Sequence, residues 1–70
     1  MSKKMSLKAA RVNAGYSQAT AAKLLGIGKQ TMSNWEKGKT KIDADSFMRL
    51  CRIYETPPQD IFLPKTLTES

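Results

Sequence analysis

The chain has 70 residues, enough for one small domain and little more. A domain of that size buries only about 60% of the surface its unfolded chain exposes, so its stability is modest. Apolar content of 40% supplies one core and excludes a fully disordered chain, and 12 Lys or Arg against 6 Asp or Glu give a net charge of +6.

No apolar run approaches the ~18 residues of a membrane span. The basic start Met1-Ser2-Lys3-Lys4-Met5 is followed by no apolar segment, so it does not read as a secretion signal, and a cytoplasmic location is expected. A single cysteine, Cys51, excludes an internal disulfide. With no histidine, zinc-finger sites are excluded and the commonest general base is missing. Charge is unevenly spread. Residues 1–41 hold nine Lys or Arg against one acid, Glu36, whereas residues 42–70 hold three against five acids. A basic half on a small domain is the electrostatic footprint of a nucleic-acid binder. On charge alone, a membrane surface or general solubility stays open.

Residues 1–5 read as a basic, flexible N-terminal tail, its two lysines either touching phosphate or simply solvated. Ser6 is placed to cap a first helix over residues 7–14, with Leu7, Ala10 and Ala14 on one face and Gly15 as its stop. Arg11 lies beside that apolar stripe, and a charge there needs a partner. The one acid in the basic half is Glu36, so the two are expected to pair across the domain. Tyr16 is expected to pack with its hydroxyl exposed. Ser17 caps a second helix reaching residue 25, with Ala21, Ala22 and Leu25 inward. The alanines let another helix cross closely. Gln18, first inside this helix, offers its amide and the free backbone N–H groups to a phosphate, or else touches only water. Leu24 falls off the stripe and has no assigned role.

A turn, Leu25-Gly26-Ile27-Gly28, leads to a third helix over residues 29–37 that stops at Gly38. At ~100° per residue, Met32, Trp35 and Glu36 fall on one side and Lys29, Gln30, Ser33, Asn34 and Lys37 on the other. The outward side has no carboxylate and no apolar residue. Gln and Asn pair bidentately with adenine, and Lys donates to guanine. A merely solvated face would usually mix Glu with Lys. This face suits a polyanion with base edges, and residues 17–38 are therefore the stretch around which the chain is organised. Lys39-Thr40-Lys41 is a basic loop, placed either along the adjoining phosphate backbone or in solvent.

Asp43 is the expected cap of a fourth helix over residues 44–54, in which Phe47, Leu50, Cys51 and Tyr54 repeat at core spacing. Cys51 sits within that stripe and reads as a small buried hydrophobe, not a nucleophile. Pro57-Pro58 ends this helix and opens a fifth short one over residues 58–63, with Ile61 and Phe62 apolar. Pro64 closes it, and residues 64–70 form a C-terminal tail. The expected fold is all-α, a compact five-helix orthogonal bundle forming one domain over residues 6–63.

These residues resemble the Cro/repressor helix-turn-helix domains of phage and bacterial regulators, the lambda-repressor-like fold. The resemblance covers residues 6–63. It rests on Leu7, Arg11, Gly15, Ser17-Gln18, Ala22, Leu25-Gly26-Ile27, Glu36 and Gly38, with Phe47, Leu50, Tyr54, Ile61 and Phe62 in step. It implies that the third helix is a recognition helix in the major groove and that the second crosses the DNA backbone. Lys29, Gln30, Ser33 and Asn34 would then read bases. Gln18, Thr31, Lys37, Lys39, Thr40 and Lys41 would contact phosphate. Arg11 and Glu36 occupy the family's internal ion pair. Gly28 departs from the pattern, standing where a side-chain cap is usual, at a cost of a few tenths of a kcal/mol. Ile42 stands where Pro is common, and Cys51 where Ala is usual. The family also implies homodimers on operators with half-sites ~34 Å apart. Ile61, Phe62, Leu63 and Leu67 are the candidate dimer contacts.

The leading expectation is a sequence-specific, double-stranded DNA-binding transcriptional regulator, most simply a Cro-like repressor. The alternative is a protein-interaction module, such as an antirepressor or antitoxin, with the same fold. A partner-binding face should carry Leu, Phe or Tyr at its centre, and the outward face has none. No catalytic constellation is present: there is no His, the one Cys is of buried type, and no paired carboxylates lie near a Gly-rich loop. No metal or cofactor is expected.

Overall fold

The computed structural model describes residues 4–64. A short strand β1 (Met5–Ser6) leads into α1 (Leu7–Asn13), α2 (Gln18–Leu25), α3 (Lys29–Lys37) and α4 (Ala44–Ile53), and a single 3-10 turn (Pro58–Asp60) precedes β2 (Ile61–Phe62). Three of the four helices begin on the side chains expected to cap them. Ser6, Ser17 and Asp43 each accept, at 3.0 Å, the backbone N–H three residues on. α3 begins at Gly28 with no side-chain cap.

The helix ends share one device. After α2, Gly26 turns left-handed at φ +81°, Ile27 N–H bonds Ala22 C=O at 2.9 Å, and Gly26 N–H bonds Lys23 C=O at 3.1 Å. After α3, Gly38 at φ +76° repeats the pattern, with Lys39 N–H on Asn34 C=O at 2.9 Å. Both satisfy carbonyls that a helix end leaves orphaned. α4 closes the same way without glycine. Glu55 takes φ +51°, and Thr56 N–H reaches Cys51 C=O at 2.9 Å. The cause lies ahead in the chain: Pro57 excludes Thr56 from helical backbone, so the helix must turn out before it.

The expected fifth helix over residues 58–63 does not form, and the described residues hold four α-helices. Six residues closed by Pro64 cannot offset the cost of a helical nucleus. The 3-10 turn is spent by Asp60, and Ile61 becomes extended and pairs in parallel with Met5, as Phe62 does with Ser6. Met5, assigned from sequence to the tail, is thus the first residue of a strand. The pairing drives Ile61 into the core, where it is 5% exposed.

That core joins Leu7 and Ala10 of α1, Ala21 and Ala22 of α2, Met32 and Trp35 of α3, Ile42, and Leu50, Cys51 and Tyr54 about α4. α2 and α3 pack most extensively on each other, at the small-residue stripe where their axes can approach. Phe47 is only half-buried and Leu24 is exposed. Among the described residues no helix is long and apolar enough to cross a membrane.

Candidate nucleic-acid interface

The placement of α3 is set from inside by one polar cluster. Arg11 Nε donates to Glu36 Oε2 at 2.7 Å, and the two side chains are 8% and 3% exposed. Arg11 Nη2 reaches Glu36 Oε1 at 3.3 Å, while Nη1 donates to Tyr16 C=O at 2.8 Å. Gln18 Nε2 donates to Glu36 Oε1 at 2.9 Å. The Glu36 carboxylate therefore ties α1 and the start of α2 to α3, and Arg11 holds the α1–α2 turn to the same cluster. The ion pair was legible from the sequence. The Gln18 contact was not, because an amide at a helix start has no pattern that says which way it folds. Gln18 is half-buried and gives one of its two amide N–H groups to Glu36, so the other remains for the expected phosphate contact. Within the first turn of α2, Thr20 N–H is taken by the Ser17 cap.

Tyr54 lies beside this cluster. Its hydroxyl is pushed up to about 12, first by burial and then by the Glu36 carboxylate, with the Arg11 guanidinium opposing. The hydroxyl is buried with no hydrogen-bond partner among the described residues, and its ring meets that of Tyr16 at 6.1 Å. Burial also raises the Cys51 thiol, in keeping with a packing role.

The opposite side of α3 is a surface of donors and acceptors. Lys29, Gln30, Thr31 and Lys37 are exposed, and Ser33 and Asn34 are half-buried. The four expected base readers thus share one helix face. Gln30 Nε2 donates to Asn34 Oδ1 at 3.0 Å, one helical turn on. Lys39, Thr40 and Lys41 follow directly after Gly38 and are exposed, continuing the basic surface past the end of the helix. The sole acid of the basic half is hidden beneath Arg11, so α3 itself places no carboxylate on this face.

Residues 7–61 match the helix-turn-helix family. The chain belongs to that family. Among curated relatives, it is 42% identical over 48 residues to the HTH-type transcriptional regulator ImmR of Bacillus subtilis (strain 168), a stretch covering 69% of this chain and 38% of that protein. It is 34% identical over 62 residues to a protein of Pyrococcus furiosus named as an HTH-type transcriptional regulatory protein, covering 84% of this chain and 20% of the relative. The chain thus spans less than two fifths of the length of either. No solved structure matches it significantly. In this helix-turn-helix chain, Gly26 lies in the turn between α2 and α3, and the polar face of α3 is the outward one.

The expected dimer contacts separate into three groups. Ile61 is core and is withdrawn from the surface by its pairing with Met5. Phe62 and Leu63 are 48% and 41% exposed. Leu67 lies outside the described residues.

Proposed function

We propose that this chain is the DNA-reading domain of a sequence-specific transcriptional regulator, most simply a repressor that occupies an operator in the bacterial cytoplasm. The observation that carries the reading is the division of α3: Met32, Trp35 and Glu36 inward, and Lys29, Gln30, Ser33, Asn34 and Lys37 outward with no carboxylate among them. α3 lies in the major groove, where Lys29, Gln30, Ser33 and Asn34 meet base edges. Thr31, Lys37, Lys39, Thr40, Lys41 and the first backbone N–H groups of α2 meet phosphate. Gln18 joins this contact through its second amide N–H and its main chain. Two copies associate on a two-fold operator through the surface that carries Phe62 and Leu63, with Leu67 of the following segment. No step of this function is catalytic.

The test is selection of bound sites from random duplex DNA, followed by salt titration on the selected site. A two-fold motif with half-sites about 34 Å apart supports a dimeric operator binder. On that site Lys39→Ala should weaken all sequences alike and reduce the slope of log affinity against log salt by about 1. No enriched sequence, with only general salt-sensitive binding, would reject the reading in favour of a protein partner.

A further inference from the structure

Gln18 opens α2, the helix whose start is proposed to meet phosphate, and its half-buried side chain is anchored from behind. Nε2 donates to Glu36 Oε1 at 2.9 Å. Glu36 is itself held. Arg11 Nε bonds its Oε2 at 2.7 Å and Arg11 Nη2 its Oε1 at 3.3 Å, and the Glu36 side chain is 3% exposed. A carboxylate paired with a guanidinium only accepts hydrogen bonds. The Gln18 amide must therefore turn its nitrogen, and not its oxygen, toward α3. The flipped amide would set a carbonyl against a carboxylate and lose the bond.

Both N–H groups of an amide lie on one nitrogen, about 120° apart. With one directed at Glu36, the direction of the other is fixed too. An oxygen bonded there at the same 2.9 Å lies about 5 Å from Glu36 Oε1. A lone carboxylate at that range would repel a phosphate, and the Arg11 guanidinium bonded to it offsets the charge. A free glutamine on a helix surface samples many rotamers, which a contact must order at the moment of binding. Here the order is present in the folded chain before DNA arrives. Two acceptors on one amide nitrogen do not strengthen each other, so the gain lies in orientation and not in bond strength. Resting on the proposed DNA-reading function, we infer that Glu36 is the positioning residue of the backbone contact. Through Gln18 it presents a pre-oriented N–H donor to a phosphate at the start of α2, while itself touching no DNA. Arg11 acts one step further back by fixing the carboxylate. The charged pair thus has a task at the surface that an apolar pair in its place cannot perform.

The experiment is a double-mutant cycle on DNA affinity with the full chain. Gln18→Ala is made in the parent and in the joint variant Arg11→Met with Glu36→Leu, which removes the anchor without leaving a buried charge. Binding is measured on the selected site and on an unrelated duplex, across a salt series. In the parent, Gln18→Ala should weaken both duplexes alike, on the order of tenfold. The salt slope should not change, because no cation is lost. In the joint variant the same substitution should cost less than about threefold. Equal losses in the two backgrounds, or no loss in the parent, would overturn the positioning role and leave the DNA-reading function standing. Should the joint variant fail to fold, proton–nitrogen NMR spectra of the parent decide. The Gln18 amide proton bonded to Glu36 should keep its shift when DNA is added, while the other proton on that nitrogen moves. Return of the bonded proton to the position of a solvated amide would show that Gln18 leaves Glu36 to bind, and would overturn the inference, as would two protons that both stay still. Failure of the parent to bind either duplex would overturn the DNA-reading function itself.

Discussion

Arg11→Ala tests the cluster on which the geometry of α3 depends. The substitution removes the 2.7 Å and 3.3 Å bonds to Glu36 and leaves Gln18 Nε2 as the remaining side-chain donor to that carboxylate among the described residues. The Glu36 side chain is 3% exposed, so its charge loses its main partner in a largely desolvated place. Breaking a buried pair by removing one partner costs about 3–5 kcal/mol. The surviving Gln18 bond places the expectation near the lower end, about 3 kcal/mol. Total stability for 70 residues is roughly 3.5–10 kcal/mol, so the loss is about 30% or more of it. At about 4–8 °C per kcal/mol for a domain of this size, Tm should fall by about 12–24 °C. Thermal and urea melts followed by circular dichroism measure it. The joint variant Arg11→Met with Glu36→Leu should lose less than Arg11→Ala, because no charge is left buried. A Tm for Arg11→Ala within about 3 °C of the parent would refute the reasoning, as would a joint variant at least as unstable as the single one.

Other substitutions probe single features. Tyr54→Phe deletes a buried hydroxyl without a partner among the described residues and should raise stability by about 1 kcal/mol, read as a higher Tm. The Tyr54 hydroxyl is held neutral to about 12 in the folded chain against an ordinary value of 10.0. The unfolded chain therefore releases this proton first, and the Tyr54 contribution to stability should fall as pH rises above 10, a loss absent from Tyr54→Phe. Asp43 has the opposite sign. Hydrogen bonds from Ser46 hold its carboxyl below the ordinary 3.8, so its contribution is present above that pH and is lost as pH falls below it, and acid titration of Asp43→Asn should lack this component. Glu55→Gly relieves a left-handed residue at φ +51° and should stabilise by about 1 kcal/mol; an unchanged or lower Tm would count against strain at that turn.

The helix-turn-helix was legible because every local signal in it agrees. Ser17 as a cap, Ala21 and Ala22 at the crossing, Gly26 and Gly38 at left-handed ends, and the two-sided wheel of α3 all specify the same arrangement. The Arg11–Glu36 pair was legible for a different reason: one charge beside an apolar stripe and one available acid leave a single solution. The C-terminal end was misread because Pro57-Pro58 is equally good as a helix start and as a 3-10 turn. What decides between them is Met5, more than fifty residues away, whose backbone pairs with Ile61. No local pattern carries that information. The Gln18–Glu36 bond was missed similarly, since it depends on how closely α2 and α3 approach.

The place of α3 in the core and the readout proposed for it are linked through Glu36. A basic face aimed at a polyanion is weakened by any carboxylate on it, and nine helical residues leave little room to place one elsewhere. Glu36 solves this by lying inward, where Arg11 offsets its charge and Gln18 completes its hydrogen bonding. The same carboxylate that would repel phosphate outside becomes, inside, the point to which α1 and α2 are fastened. Replacing a buried pair with apolar residues is often neutral or stabilising, so stability alone gives little reason to keep it. Orientation gives a better one, because an apolar patch tolerates sliding whereas a carboxylate with donors from α1 and α2 defines one position of α3. The readout proposed for Gln30 and Asn34 needs that definition, since hydrogen bonds to base edges lose their selectivity when the helix that carries them can rotate.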